Sequence, residues 1–268
     1  GILEQPELVR PEHTKAQPKD NGIKVTDITF GYHDKEILHG VSMDIKAGTV
    51  NAIVGPSGSG KSTIAKLIAS LWDVNSGSIE IGGVDIKDIA LTDFNDRLAY
   101  VSQDNYLFNE TVRNNIRQGR PDATDAEVEA AARTVSADQV AAKLEKGWDS
   151  DVGEGGGRLS TGEKQLISFA RAVLADPRIF VLDEATSSID TQTEQLIQQA
   201  IDHLLQDRTS FLIAHRLSTI RKADMILVVR DGRIVEQGTH QELLRRHGYY
   251  HDLYSKQFAE ESAARILQ

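Results

Sequence analysis

The chain has 268 residues, enough for one or two domains with a sizeable core, and no cysteine, which excludes disulfides, thiolate metal sites and a cysteine nucleophile. Its formal net charge of −10 repels polyanions, so nucleic acid is not expected as a partner. Apolar runs such as Met225–Val229 fall far short of the roughly 18 residues of a membrane span, and no basic start with an apolar core suggests a signal peptide, so the chain by itself is expected to be soluble.

Pro6, Pro11 and Pro18 lie among polar residues without periodicity, which predicts a linker or arm over residues 1–21 rather than a packed element. Alternation from Ile23 to Phe30 and a second run from Ile37 to Ile45 predict strands, and Thr49–Val54 reads as a buried strand. Next come Gly55-Pro56-Ser57-Gly58-Ser59-Gly60-Lys61-Ser62-Thr63 and an apolar-periodic helix, Ile64–Leu71. Gly55 and Gly60 bracket four residues ahead of a lysine and a hydroxyl, the pattern of a phosphate-binding loop. Glycines let the backbone N–H groups turn inward onto phosphate oxygens. Lys61 can reach the terminal phosphates and Ser62 can ligate Mg²⁺. A helix starting here turns its positive end toward the nucleotide.

Further along, Ser78–Ile81 before Gly82-Gly83 predicts a strand and turn, and Leu98–Ser102 a short buried strand. Residues from about 111 to 146 read as mostly helical, with Asp125, Glu127 and Glu129 near one helix start. A turn-rich segment spans 153–157, and a long helix from Thr161 to Leu174 is stopped by Asp176-Pro177. Ile179–Leu182 is a continuous apolar run typical of a central parallel strand, and it ends in Asp183-Glu184. A carboxylate at this place suits Mg²⁺ binding, and Glu184, one residue further, suits a general base for water. Strands at Ser210–Ala214 and Met225–Val229 and helices at about 191–206, 240–246 and 249–260 complete the chain. The alternation predicts an α/β core with a helical insertion.

These motifs, in this order, resemble the nucleotide-binding domain of an ATP-binding cassette (ABC) transporter, over roughly residues 22–260. The resemblance implies a P-loop NTPase (RecA-like) core with an N-terminal antiparallel β-subdomain and an inserted helical subdomain at about 104–175. It also implies that residues 1–21 link to a membrane domain and 22–268 form the ATPase domain. Gly55, Ser57, Gly58, Gly60, Lys61, Ser62 and Thr63 are then ATP-binding residues, and Tyr32, in Phe30-Gly31-Tyr32, stacks on adenine. Gln103 senses Mg²⁺, which Ser62 and Asp183 also bind; Glu184, His215 and Lys61 are catalytic, with His215 on the γ-phosphate. Ser160 and Gly162, in Leu159-Ser160-Thr161-Gly162-Glu163, match the family signature that completes the ATP site of a second nucleotide-binding domain. Ser187-Ser188-Ile189-Asp190 matches the loop along that dimer seam. Thr161 and Glu163 depart from the usual glycine and glutamine; beside an intact Glu184, this leaves a heterodimer with unequal sites as an alternative to a homodimer.

Asp151–Gly156, Trp72-Asp73 and Gly82–Ile86 are similar to exporter sequences, which implies a transmembrane partner fused N-terminally and a place on the cytoplasmic side of the cell membrane. Exporter-fold importers of iron chelates share this pattern, and ABC ATPases outside transport remain a further alternative. Tyr106-Leu107-Phe108 lies where the family docks coupling helices, and small-core packing is the other reading.

Overall fold

The structure is a computed structural model describing residues 8–184 and 189–266. Two compact units emerge: one takes the chain up to Arg97 and again from Thr209, the other Leu98–Arg208. The first begins with β1 (Ile23–Tyr32), β2 (Lys35–Ile45), β3 (Val50–Val54), α1 (Lys61–Ile68), β4 (Ser76–Ile81), β5 (Val84–Asp85) and α2 (Leu91–Arg97). The second holds β6 (Leu98–Val101), α3 (Val112–Arg117), α4 (Asp125–Thr134), α5 (Asp138–Ala142), α6 (Thr161–Ala175), β7 (Ile179–Asp183) and α7 (Thr191–Leu205). The first resumes with β8 (Thr209–Ile213), α8 (Leu217–Lys222), β9 (Met225–Arg230), β10 (Arg233–Gly238), α9 (His240–Arg245) and α10 (Tyr249–Ile266).

In the first unit, β2-β1-β4-β5 form an antiparallel sheet. Its long strand changes face part-way. Ile23 and Val25 are buried, then Ile28 and Phe30. A bulge between Val25 and Ile28, with Asp27 at φ 44°, inserts the extra residue that resets the two-residue alternation. Gly77 allows this approach, because a Cβ there would overlap the carbonyl oxygens of Thr26 and Asp27. The other sheet of this unit runs β10-β9-β3-β8; β3 is parallel to β8 and β9, and β10 is antiparallel to β9. β3 is buried on both faces from Asn51 to Val54, as a central parallel strand requires. The Asn51 amide is satisfied there by the Ser210 carbonyl (3.2 Å) and Thr49 Oγ1 (2.9 Å).

In the second unit, β6 pairs in parallel with β7, and α6 packs against α3, α4 and α7. The ends of α6 follow from its sequence. Ser160 Oγ accepts from the Glu163 N–H at 3.2 Å, and Glu163 Oε1 accepts from the Ser160 N–H at 2.9 Å, a reciprocal capping box. At the other end Asp176 takes a left-handed conformation before Pro177. This unit also holds β6, β7 and α7 beside its helices.

Residues 8–21 form no helix or strand, in keeping with their prolines, yet they are pinned along the first unit. Arg10 donates to both Asp73 carboxylate oxygens (2.7 and 3.3 Å) and to Ser70 Oγ (2.8 Å). The Lys15 N–H donates to the Asp88 carbonyl and the Lys19 N–H to that of Gly82. Long-range pairs that no local pattern announces hold residues 8–21 in place.

Candidate nucleotide site

The phosphate loop leaves β3 and enters α1 in the first unit. Gly55 lies against the hairpin of β9 and β10, and a Cβ there would overlap the Val229 carbonyl oxygen. Gly60, at φ 107°, stands just before α1 and faces Leu38. Gly58, at φ 76°, has nothing within 4 Å of where a Cβ would be, so its surface is open. The turn of that hairpin braces the loop from behind: the Gly232 N–H donates to the Ser59 carbonyl at 2.9 Å, and the Gly232 carbonyl accepts from the His39 N–H at 3.0 Å. Lys61 is buried, and its ammonium donates to the carbonyls of Gly55 and Pro56. Ser57, Ser62 and Thr63 sit in the same segment, so all the expected loop residues are together.

Tyr32 ends β1 and is partly exposed, its hydroxyl hydrogen-bonded with the Thr63 side chain. Burial raises its pKa above the usual tyrosine value. Its ring meets Phe30 edge-on at 5.2 Å and Trp72 edge-on at 5.3 Å, while Phe30 and Trp72 stack at 5.6 Å. Lys66 stands over the Trp72 ring at 5.0 Å. His215 follows β8, and its pKa is pushed down to about 4, first by burial, then by the Lys61 and Arg216 cations. The imidazole is therefore neutral at pH 7 and keeps one N–H to donate.

The second unit carries the remaining candidates. Asp183 ends β7, and both it and Glu184 are buried. Tyr100, on the paired strand β6, has its pKa pushed up to about 12 by burial and then by the nearby charges of Asp183 and Asp104. Gln103 is exposed just beyond β6. Ser160 is the cap of α6, and Gly162 sits in its first turn, where a Cβ would lie 2.5 Å from Thr193 Cγ2 and 3.1 Å from Ile189 Cγ2. Thr161 is exposed at the first helical position, where a threonine costs little, and Glu163 serves as the capping partner. Ser187 and Ser188 lie outside the described residues. Tyr106 and Phe108 are exposed and meet edge-on at 5.3 Å, whereas Leu107 is buried.

Residues 38–187 match the family described as ABC transporter. The chain belongs to the ABC transporter family, as a nucleotide-binding domain. It is 45% identical over 248 residues to an ATP-dependent lipid A-core flippase of Desulfotalea psychrophila, covering 92% of this chain and 43% of that protein. It is 47% identical over 244 residues to an uncharacterized ABC transporter ATP-binding protein, YfiC, of Bacillus subtilis, covering 90% of this chain and 40% of that one. A solved bacterial Atm1-family ABC exporter with ATP bound superposes with a TM-score of 0.85 at 44% identity, covering 92% of this chain and 43% of the exporter chain. The domain thus spans less than half the length of these relatives.

The nucleotide-binding domain has the P-loop NTPase α/β fold with the expected antiparallel β-subdomain. It binds ATP, and the chemistry around its loop fits a triphosphate: an open glycine curve, a buried lysine and a helix N-terminus converge. The Ser62 hydroxyl in the first unit, and the Asp183 carboxylate and Gln103 amide in the second, are each oxygen donors of the kind a hard cation such as Mg²⁺ takes. Trp72 backs Tyr32, and Thr63, already expected in the loop, meets its hydroxyl. Sequence reasoning passed over Gly232, which braces the loop from beyond β9; its readable signal was the hairpin-forming pair Asp231-Gly232. No described helix is long and apolar enough to cross a membrane.

Proposed function

We propose that this domain hydrolyses Mg²⁺-ATP to ADP and phosphate and thereby powers export through a transmembrane portion that precedes it in the natural chain. The observation that carries the reading is the Gly55–Thr63 loop, with its glycines in left-handed or extended conformations and the buried Lys61 ammonium among its carbonyls. Relatives more than twice as long, a flippase and an exporter among them, support the transmembrane portion and favour export over iron-chelate uptake or a role outside transport.

In this reading Tyr32 holds the adenine by stacking, and the loop N–H groups and Lys61 hold the phosphates. Ser62, Asp183 and Gln103 would hold Mg²⁺, which when bound supplies positive charge to the phosphate oxygens. Glu184 orients a water and takes its proton as the water oxygen bonds to the γ-phosphorus and the bond to the β–γ bridging oxygen breaks. Lys61 and the neutral His215 N–H stabilise charge on the transferring group. Ser160 and Gly162, at the N-terminus of a 15-residue helix, cap the γ-phosphate bound by a second nucleotide-binding domain, so the site is complete only when the two close head to tail.

Glu184→Gln should keep ATP binding and lower turnover about 100-fold or more. Lys61→Ala should weaken nucleotide affinity measured by calorimetry. Near-normal turnover in the first variant, or undiminished affinity in the second, would overturn the reading.

A further inference from the structure

His215 sits on the short segment between β8 and α8. β8 ends at Ile213, and the Ala214 N–H donates to the Ile53 carbonyl at 3.2 Å. Two residues later α8 begins, only six residues long and without a side-chain cap at its start. A helix that short is not stable by itself and takes its position from what it packs on. Here that is α10, the last helix of the chain. Ala214, Leu217, Ile220 and Tyr250 share one buried cluster, with Leu253 and Tyr254 packed against it. Arg221 of α8 donates to the Tyr254 hydroxyl and lies over the rings of Tyr254 (5.6 Å) and Phe258 (5.9 Å). The most direct link is a half-buried side chain: Gln257 Nε2 donates to the backbone carbonyl of His215 and, at 3.4 Å, contacts Glu261 Oε1 one turn on.

We infer that Gln257 is a positioning residue for hydrolysis, holding the backbone of His215 so that the imidazole is presented to the γ-phosphate. The inference rests on the ATPase reading above. It assigns the C-terminal helix a task in the reaction: α10 is the back wall of the histidine segment, joined to it by the Gln257 hydrogen bond and by the Arg221 clamp. No atom of Gln257 touches nucleotide in this scheme, so ATP affinity is not its concern; only the histidine's alignment is.

The test uses the full chain and two substitutions of opposite chemistry. Gln257→Glu keeps the shape but removes the donor. Gln257→Lys keeps a donor within reach and can still pair with Glu261. Losing one such hydrogen bond corresponds to a drop in kcat of about 5- to 10-fold. The glutamate variant should show that drop with ATP affinity unchanged, and the lysine variant should stay within about twofold of the parent. At pH 7 the His215 imidazole NMR resonances, assigned with His215→Asn, should move in the glutamate variant and not in the lysine variant. Unmoved resonances and an unchanged kcat in Gln257→Glu would overturn the inference. So would equal losses in both variants accompanied by an equal fall in melting temperature, which mark a purely structural part. Turnover that Glu184→Gln fails to abolish would instead count against the ATPase reading, and the imidazole resonances would still decide the role of Gln257.

Discussion

Gly162 offers a test whose size follows from two distances. Within a helix, replacing glycine by alanine ordinarily gains roughly 0.5–1 kcal/mol from backbone entropy. Here the new methyl would lie 2.5 Å from Thr193 Cγ2 and 3.1 Å from Ile189 Cγ2, and neither is the far end of a flexible chain. Overpacking of this kind costs about 1–3 kcal/mol, so Gly162→Ala should be net destabilising by about 1–2 kcal/mol. For a chain of this size that is a fall of about 2–8 °C in melting temperature by calorimetry. Thr193→Ser removes the offending methyl but keeps the N–H that Asp190 caps at 2.9 Å. In that background Gly162→Ala should cost less than about 0.5 kcal/mol, giving a coupling of about 1 kcal/mol between the two sites. An equal cost in both backgrounds, or none in either, would refute the steric argument. The glycine of the signature would then need a reason other than the close approach of α7.

Gln165 is fully buried on α6, and neither atom of its amide has a hydrogen-bond partner among the described residues. Gln165→Met should therefore raise stability by about 1–2 kcal/mol in denaturant unfolding, and a loss would show that the amide is satisfied. The His215 imidazole should titrate with an NMR midpoint near 4, so its neutral form favours the fold in full above about pH 6.5 and that contribution is lost as pH falls toward 4. Lys61→Met should raise the midpoint but leave it below 6.5, since burial is the larger cause; a midpoint at 6.5 in the parent would refute this. Arg10→Ala removes the paired contact to Asp73 and should speed proteolytic cutting within residues 8–21 several-fold, whereas an unchanged rate would mean the arm is held elsewhere.

What could be read from the chain beforehand divides along physical lines. The phosphate loop was legible because its own chemistry is local: its glycines, its lysine and its hydroxyls all lie within nine residues. The ends of α6 were legible for the same reason, Ser160 and Glu163 at one end and Asp176-Pro177 at the other. β10 was not read, although Asp231-Gly232 signals a hairpin, because its partly exposed residues give no apolar run. α2 and α8, at seven and six residues, are too short for a helical period to show. The pinned arm, the Trp72 backing of Tyr32 and the Gln257 contact all join residues more than 35 positions apart, and nothing in a single sequence pairs them.

The hairpin turn behind the phosphate loop has a consequence for how the molecule is made. Ribosomes deliver the amino end first, so the glycine motif emerges before the residue that braces it, Gly232, which follows some 170 positions later. A nascent chain halted before that turn should present the motif as an unshaped peptide with little grip on nucleotide. ATP added during synthesis would then stabilise only chains that have passed that turn, a built-in check on the order of assembly.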